Sequence, residues 1–284
     1  MYVGGGDTMS PLKIMIAFTV LLFLMTPVFL FCQLTELDLE QRAEWEEFLR
    51  TAEIVDQKQF QSREAVTSPW KLTLEKDGVR KFALWKNPMG EQLGFQESWK
   101  WEIASYRLDK LLGLNMVPVT VERIFQGKPG SCQLWVDNTI SMEERREKNL
   151  RPPAEKMTRF IRAAYLQHAF DNLIANVDRR AGNVLVTEDW RCILIDHSRT
   201  FRTQKDYTTQ LLFIDRNPEE LNLMKELPES FVQKLREINE KAVLDAVGPY
   251  LTKREIRAML KRRDLIVQAV DIRIQKYGKD AILY

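Results

Sequence analysis

The chain has 284 residues, 45% of them hydrophobic, enough for one substantial core or two smaller lobes. Its 42 basic and 40 acidic side chains leave a formal net charge of +2, so no global basic field directs it to nucleic acid. Two histidines and three cysteines lie too far apart for a zinc spacing or a disulfide framework.

Residues 1–13 form an N-terminal tail, and residues 14–32 then run for 19 positions without a charge, long enough for a transmembrane helix. Lys13 before this segment and Glu36, Asp38, Glu40 and Glu44 after it favour a single-pass membrane protein. The rest of the chain would then lie on the lumenal or extracytoplasmic side. A cleaved signal segment is the rival reading, with Ser10 to Lys13 as its basic end if synthesis begins at Met9. Leu30-Phe31-Cys32-Gln33 offers no small-residue cleavage site, which favours an uncleaved anchor. Residues 33–53 read as a juxtamembrane helix, with Leu37, Leu39, Ala43, Trp45, Phe48 and Leu49 at helical spacing.

Residues 54–138 read as a β-rich lobe. Residues 71–75 and 80–86 alternate polar with apolar, and Asp77-Gly78 between them signals a hairpin. On the second strand Phe82, Leu84 and Lys86 share one face. An ammonium on an apolar face needs an anion, either a carboxylate or a bound phosphate. Residues 99–112 repeat with helical period through Trp101, Ala104, Tyr106, Leu108, Leu111 and Leu112, and Gly113 is the stop. Glu102, in the first turns, is the carboxylate candidate for Lys86; the alternative is a solvated charge favoured by the helix dipole. Strands follow at 117–124 and 131–136, with Gly127-Lys128-Pro129-Gly130 as the turn.

Residues 139–284 read as mainly helical. Residues 140–150 are a charged hinge or short helix that ends at Pro152-Pro153. A long helix spans 154–174, with Met157, Phe160, Ile161, Ala164, Leu166, Ala169 and Phe170 facing inward. Residues 199–217 are polar and correspond to an activation or acceptor-binding segment. Pro228-Glu229-Ser230 starts another helix, and the capping box from Thr252 to Glu255 opens a last one that stops at Gly278. Its Lys261-Arg262-Arg263 cluster reads as a solvated face, with contact to anionic lipid or substrate as the alternative.

The chemistry concentrates at Asp178, at Asn183 five residues later, and at Asp196. Residues 184–187 and 192–195 form a hairpin across Glu188-Asp189-Trp190-Arg191, which holds the three groups at one end. Asp and Asn at this spacing are common turn residues. The carboxylate leaving the second strand, with Lys86 and Glu102 upstream in order, separates this set from chance. A metal-dependent phosphotransferase needs an Asp to orient a hydroxyl and an Asn and an Asp to hold metal. It also needs a Lys aimed at the phosphates by a Glu.

Beyond this, the run from Glu102 to Pro118 resembles the helix and exit strand of the secretory-pathway kinases related to Golgi casein kinase and four-jointed. Ala83-Leu84-Trp85-Lys86-Asn87 is similar to their lysine strand. Phe170 to Asp178 resembles the HipA serine kinases, and Asp178-Arg179 with Ile195-Asp196 resembles the phosphatidylinositol 3- and 4-kinases. The likeness covers residues 68–201. It implies an α+β, two-lobed protein-kinase-like fold, with a small β-rich N-lobe and a mainly helical C-lobe after the transmembrane helix.

The same resemblance implies ATP with Mg²⁺ or Mn²⁺, and a hydroxyl-bearing acceptor: protein serine or threonine, glycan or lipid. Asp178 would be catalytic, Lys86 and Glu102 would serve the nucleotide, and Asn183 and Asp196 would ligate metal. Two departures stand out. Arg63-Glu64-Ala65-Val66-Thr67-Ser68 replaces a glycine-rich loop, leaving backbone and hydroxyls of Thr67 and Ser68 to cap the phosphates. His197-Ser198 follows Asp196 where ordinary kinases have Phe-Gly. These departures motivate the alternative of an inactive pseudokinase, a membrane-anchored binding or activator protein. Kinases of this group usually carry several disulfides, whereas nothing here demands a bond between Cys132 and Cys192.

Overall fold

Two tight turns set the register of the sheet that carries Lys86. The computed structural model describes Met1 and residues 41–60, 68–92, 94–213 and 224–284. The chain divides into two compact units, 1–32 and 33–284, and the fold described here is that of the second. The anchor expected at 14–32 lies outside the described residues, among which no helix is long and apolar enough to cross a membrane.

The main sheet has the order β1-β2-β3-β7-β6 and is antiparallel throughout. Its strands are β1 (Glu53–Gln59), β2 (Trp70–Lys76), β3 (Val79–Lys86), β6 (Thr120–Phe125) and β7 (Lys128–Leu134). Asp77 and Gly78, at φ 51° and 76°, close the β2–β3 hairpin in the doubly left-handed turn that matches strand twist. Gln126 and Gly127, at φ 50° and 72°, do the same for β6–β7. That corrects the turn expected over 127–130: Lys128, Pro129 and Gly130 already belong to β7. Pro129 is tolerated because β7 joins β3 only from Ser131 onward, past the missing N–H.

On β3 the core face holds Ala83 and Trp85, while Phe82 is exposed and Leu84 half-buried. Phe82 and Leu84 therefore lie on the face of β3 opposite that core. Helix α1 (Arg42–Thr51) realises the described part of the expected helix over 33–53 and buries Phe48 and Leu49. A β4–β5 hairpin (Met89–Gln92, Phe95–Ser98) leads into α2 (Trp99–Leu112). Ser98 caps α2 by accepting from Lys100 N, and Gly113 ends it at φ 69°. Buried Asp109 ties α2 to its exit, accepting from Met116 N and Val117 N and pairing with Arg42 at 2.7 Å.

The remainder is mainly helical around a three-stranded sheet, β10-β9-β8. Short β8 (Thr139–Ser141) and α3 (Met142–Glu147) occupy the charged stretch read as a hinge. Helix α4 (Ala154–Ile174) has the expected bounds, yet Met157 and Ile161 are exposed, because only its last two turns enter the core. Strands β9 (Val184–Thr187) and β10 (Cys192–Leu194) form the expected hairpin, followed by α5 (Asp206–Thr209). Helices α6 (Glu229–Glu237), α7 (Glu240–Val247) and α8 (Lys253–Tyr277) follow. The capping box of Thr252 and Glu255 is present, and the helix ends at Gly278. Arg262 is not solvated: it is buried and donates to the carbonyls of Leu173 and Arg202, both at 2.8 Å. Cys132 and Cys192 are both buried and free.

These C-terminal helices brace α2. Trp101 Nε1 donates to Glu255 Oε1 at 2.8 Å, Arg107 to the Ala246 carbonyl at 3.3 Å, and Lys234 to the Leu112 carbonyl at 3.1 Å. The strand bearing Lys86 is held as tightly. A Cβ at Gly130 would lie 2.6 Å from the Trp85 ring and 2.7 Å from the Lys86 carbonyl. Gly130→Ala is therefore expected to cost about 1–3 kcal/mol through overpacking, read as a lower urea midpoint.

Candidate active site

Lys86 closes β3, and its ammonium lies 2.5 Å from Glu102 Oε1 and 2.8 Å from Asp196 Oδ1. Lys86 and Glu102 are buried, whereas the Asp196 side chain remains 35% accessible. Glu102 is thus no solvated helix charge. Burial opposes the Lys86 charge, but the two carboxylates overcome it and hold its pKa above the ordinary value. Burial pushes Glu102 upward against the pull of Lys86 and the His197 N–H, which donates to Oε2 at 2.9 Å. Burial also opposes ionisation of Asp196, yet Lys86, aided by His197 and Arg179, lowers its pKa to about 2. Two carboxylates against one ammonium leave a net negative charge at the accessible edge.

A second cluster shapes the loop from Asn176 to Asn183. Helix α4 ends with Ala175 in the left-handed region at φ 49°. Asn176 then donates to Asp171 and accepts from Asp178 N at 3.1 Å. Arg179 is the hub. Its guanidinium pairs with both oxygens of buried Asp171 and donates to the carbonyls of Asn183 and Ile195, each at 2.8 Å. It also donates to His197 Nε2 at 2.9 Å, which leaves the His197 proton on Nδ1, 3.8 Å from Glu102. One buried side chain therefore fixes the main chain beside both Asn183 and Asp196.

The β9–β10 hairpin brings these two residues to one end, since Asn183 precedes β9 and Asp196 follows β10. Ile195 N donates to the Asn183 carbonyl at 3.1 Å, and Asn183 Nδ2 reaches the Asp178 carbonyl at 3.3 Å. The Asp178 carboxylate meets Arg180 at 3.4 Å and Arg199 at 3.3 Å. Arg180 is exposed, but Arg199 is anchored by buried Glu97, 2.7 Å away, and lies over the Phe95 ring.

Lys86, Glu102 and Asp196 are in direct contact, and Asp178 and Asn183 share the adjoining loop. Ser68 is exposed, its carbonyl accepting from Gln59, with no contact to Lys86, Glu102 or Asp196 among the described residues. Thr67 lies outside those residues. Sequence reading assigned no role to Arg179, Glu97 or Arg199. Arg179 adjoins Asp178 in the quoted motif, but nothing in a linear pattern tells a buried arginine from an exposed neighbour such as Arg180. Among the described residues no three His, Cys, Asp or Glu side chains group to hold a metal. A cation would take Asn183 and Asp196 with ligands from a bound phosphate.

No protein-family model matches the chain, and neither does any curated protein. Among solved structures it is similar to hydra Fam20 with sugar. That match has a TM-score of 0.61 and 15% identity, over 86% of this chain and 92% of that one. A Helicobacter pylori proinflammatory kinase, CtkA, matches with a TM-score of 0.48 and 11% identity, over 81% of this chain and 99% of that one. The first likeness shows a Fam20-like kinase fold, the fold of the Golgi casein kinase group to which the sequence resemblance pointed.

Arg179→Met would leave Asp171 buried without its cation, and is expected to cost about 3–5 kcal/mol in chemical unfolding. His197 gives a pH signature. Burial, with the charges of Arg179 and Lys86, outweighs Asp196 and holds its pKa well below 6.5. The unfolded chain then binds a proton that the folded chain refuses, so stability falls as pH drops below 6.5. This group contributes a slope approaching about 1.4 kcal/mol per pH unit. Urea unfolding between about pH 7 and about pH 5 should show a shallower slope in His197→Gln, and an unchanged slope would exclude His197 as its source.

Proposed function

We propose that this protein is an atypical kinase that transfers the γ-phosphoryl group of ATP to a hydroxyl acceptor. The observation that carries this reading is the three-way contact of Lys86 with Glu102 and the partly accessible Asp196. A lysine held by a helix glutamate beside a strand-end aspartate is what phosphoryl transfer asks of a protein.

The donor set fits a divalent cation. Asp196, its pKa lowered to about 2, is ionised and partly accessible, and the main chain of Asn183 is held close to it by the Ile195–Asn183 hydrogen bond. Mg²⁺ or Mn²⁺, when bound with ATP, supplies charge neutralisation at the phosphates. Lys86 adds its positive charge there, with Glu102 fixing its direction. Asp178 accepts the hydrogen bond of the acceptor hydroxyl and would take its proton as that oxygen bonds the γ-phosphorus and the bond from phosphorus to the β,γ-bridging oxygen breaks, with ADP leaving. Arg199, clamped by Glu97, holds one carboxylate oxygen, and the exposed Arg180 yields the other. Positioning and fixed charge supply most of the rate.

The acceptor belongs to the hydroxyl-bearing classes: protein serine or threonine, glycan or lipid. The sugar in the hydra Fam20 structure puts a glycan among the first acceptors to try. Anchoring through residues 14–32, with the kinase domain lumenal or extracytoplasmic, is part of this proposal and rests on the charge pattern of the sequence. A second reading, a pseudokinase that binds or activates a partner, is favoured by the two arginines on Asp178 and by the missing glycines.

ATP binding by the full-length protein, with and without Mg²⁺ or Mn²⁺, is the first test. Metal-dependent binding should disappear in Asp196→Asn. Asp178→Asn should keep ATP affinity while transfer to a hydroxyl acceptor falls by about 10²–10⁴-fold. Full transfer activity in that variant would remove Asp178 from its role, and absence of ATP binding by folded wild type would favour the pseudokinase.

A further inference from the structure

The face of β3 that ends at Lys86 also carries Leu84 and Phe82, spaced roughly 7 Å apart along the strand. Lys71 of β2 stands directly across from Leu84, and Gln133 of β7 stands across on its other side. Directly opposed residues of antiparallel strands share a face, so Lys71 lies on the face of Lys86, one pleat further along.

Lys71 is half-buried, and its surroundings are aromatic. Its ammonium lies 3.9 Å over the Phe82 ring and 4.3 Å over the Trp135 ring. Trp135 in turn stacks on Phe60 at 6.2 Å, and its N–H donates to the Phe82 carbonyl at 3.0 Å. Ring faces attract and hold the charge. They leave its N–H donors without an oxygen or nitrogen acceptor, and no carboxylate meets it among the described residues. Its cross-strand neighbour on β1 is Lys58, a like charge that repels it. Lys76, at the end of the same strand, shows the contrast by donating to Thr51 Oγ1 at 2.8 Å. Lys71 is therefore a positioned donor with nothing to donate to.

What it serves follows if the kinase reading above holds, since that reading puts nucleotide phosphates at Lys86. The sugar and base then extend from Lys86 over a surface that offers Leu84 and, beside it, the framed ammonium. A base is flat, and its edge carries the groups that a donor can read. Guanine presents two adjacent acceptors, O6 and N7, to a lysine, whereas adenine sets an amino group beside its N7. We propose that Lys71 reads the base of the phosphate donor and favours guanine, so that GTP is bound ahead of ATP. The ammonium donates to O6 and N7 while the base packs on Leu84.

The test measures binding of GDP, IDP and ADP to the full-length protein with Mg²⁺ or Mn²⁺, because transfer does not consume diphosphates. GDP and IDP share O6 and N7, and should bind at least about fivefold tighter than ADP. Lys71→Met keeps an apolar stem, and should bring GDP and IDP down to the ADP level while ADP binding stays unchanged. Lys71→Arg, whose fork matches O6 and N7, should keep the preference. Lys128→Gln, exposed at the start of β7, should leave all three affinities as in the wild type. ADP binding as tightly as GDP would overturn the proposal and leave the kinase reading standing. So would IDP matching ADP, which moves recognition to the 2-amino group, or an intact preference in Lys71→Met. If folded wild type binds none of the three, both readings fall, so the two failures are told apart.

Discussion

The structure turns on a buried ammonium that meets two carboxylates. Lys86, Glu102 and Asp196 come from a strand, a helix and the end of a distant hairpin, and neither buried Lys86 nor buried Glu102 is tolerable there as a lone charge. Together they tie the β-sheet part to the helical part through charge. Because two negative groups answer one positive, the cluster is also incomplete in a useful sense: its accessible edge favours a cation. Stability and the proposed chemistry therefore draw on the same three side chains.

Arg179 makes that arrangement rigid. It spends its donors on Asp171, on two main-chain carbonyls and on His197, and His197 in turn donates to Glu102. The aspartate loop, the strand exit and helix α2 are thereby linked through the Arg179 guanidinium and through residue 197, whose ring meets Arg179 and whose main-chain N–H meets Glu102. The C-terminal helices reinforce the link by holding α2 at Trp101, Arg107 and Leu112. Replacing Phe-Gly by His-Ser after the strand-end aspartate has a physical consequence here. The imidazole satisfies a buried arginine and the following serine reaches Glu97, contacts that phenylalanine and glycine cannot make.

Much of the fold was legible because it depends on local chemistry. The Asp77-Gly78 turn, the Ser98 and Gly113 boundaries of α2, the length of α4 and the Thr252–Glu255 capping box each follow from residues within a few positions of one another. The misreadings share a cause. Met157 and Ile161 fit an apolar stripe but stay exposed on α4, and Arg262 fits a charged stripe but points at three carbonyls. Periodicity reports which residues share a face, not what the face meets. The β6–β7 turn was misplaced because Pro129 and Gly130 are turn residues by type, while a left-handed Gln126 leaves no compositional mark.

The sequence by itself determined the order and spacing of the polar set, from Lys86 to Asp196, and the elements that deliver it. Those features are short-range, written in alternation, caps and the carboxylate that follows an apolar strand. Only the tertiary structure decided that Glu102 is buried against Lys86, and that Arg179 rather than Arg180 turns inward. It also decided that Arg199 reaches Asp178 from an anchor on Glu97. Each of those outcomes depends on which surfaces exclude water, and burial is a property of the packed whole that no window of sequence contains.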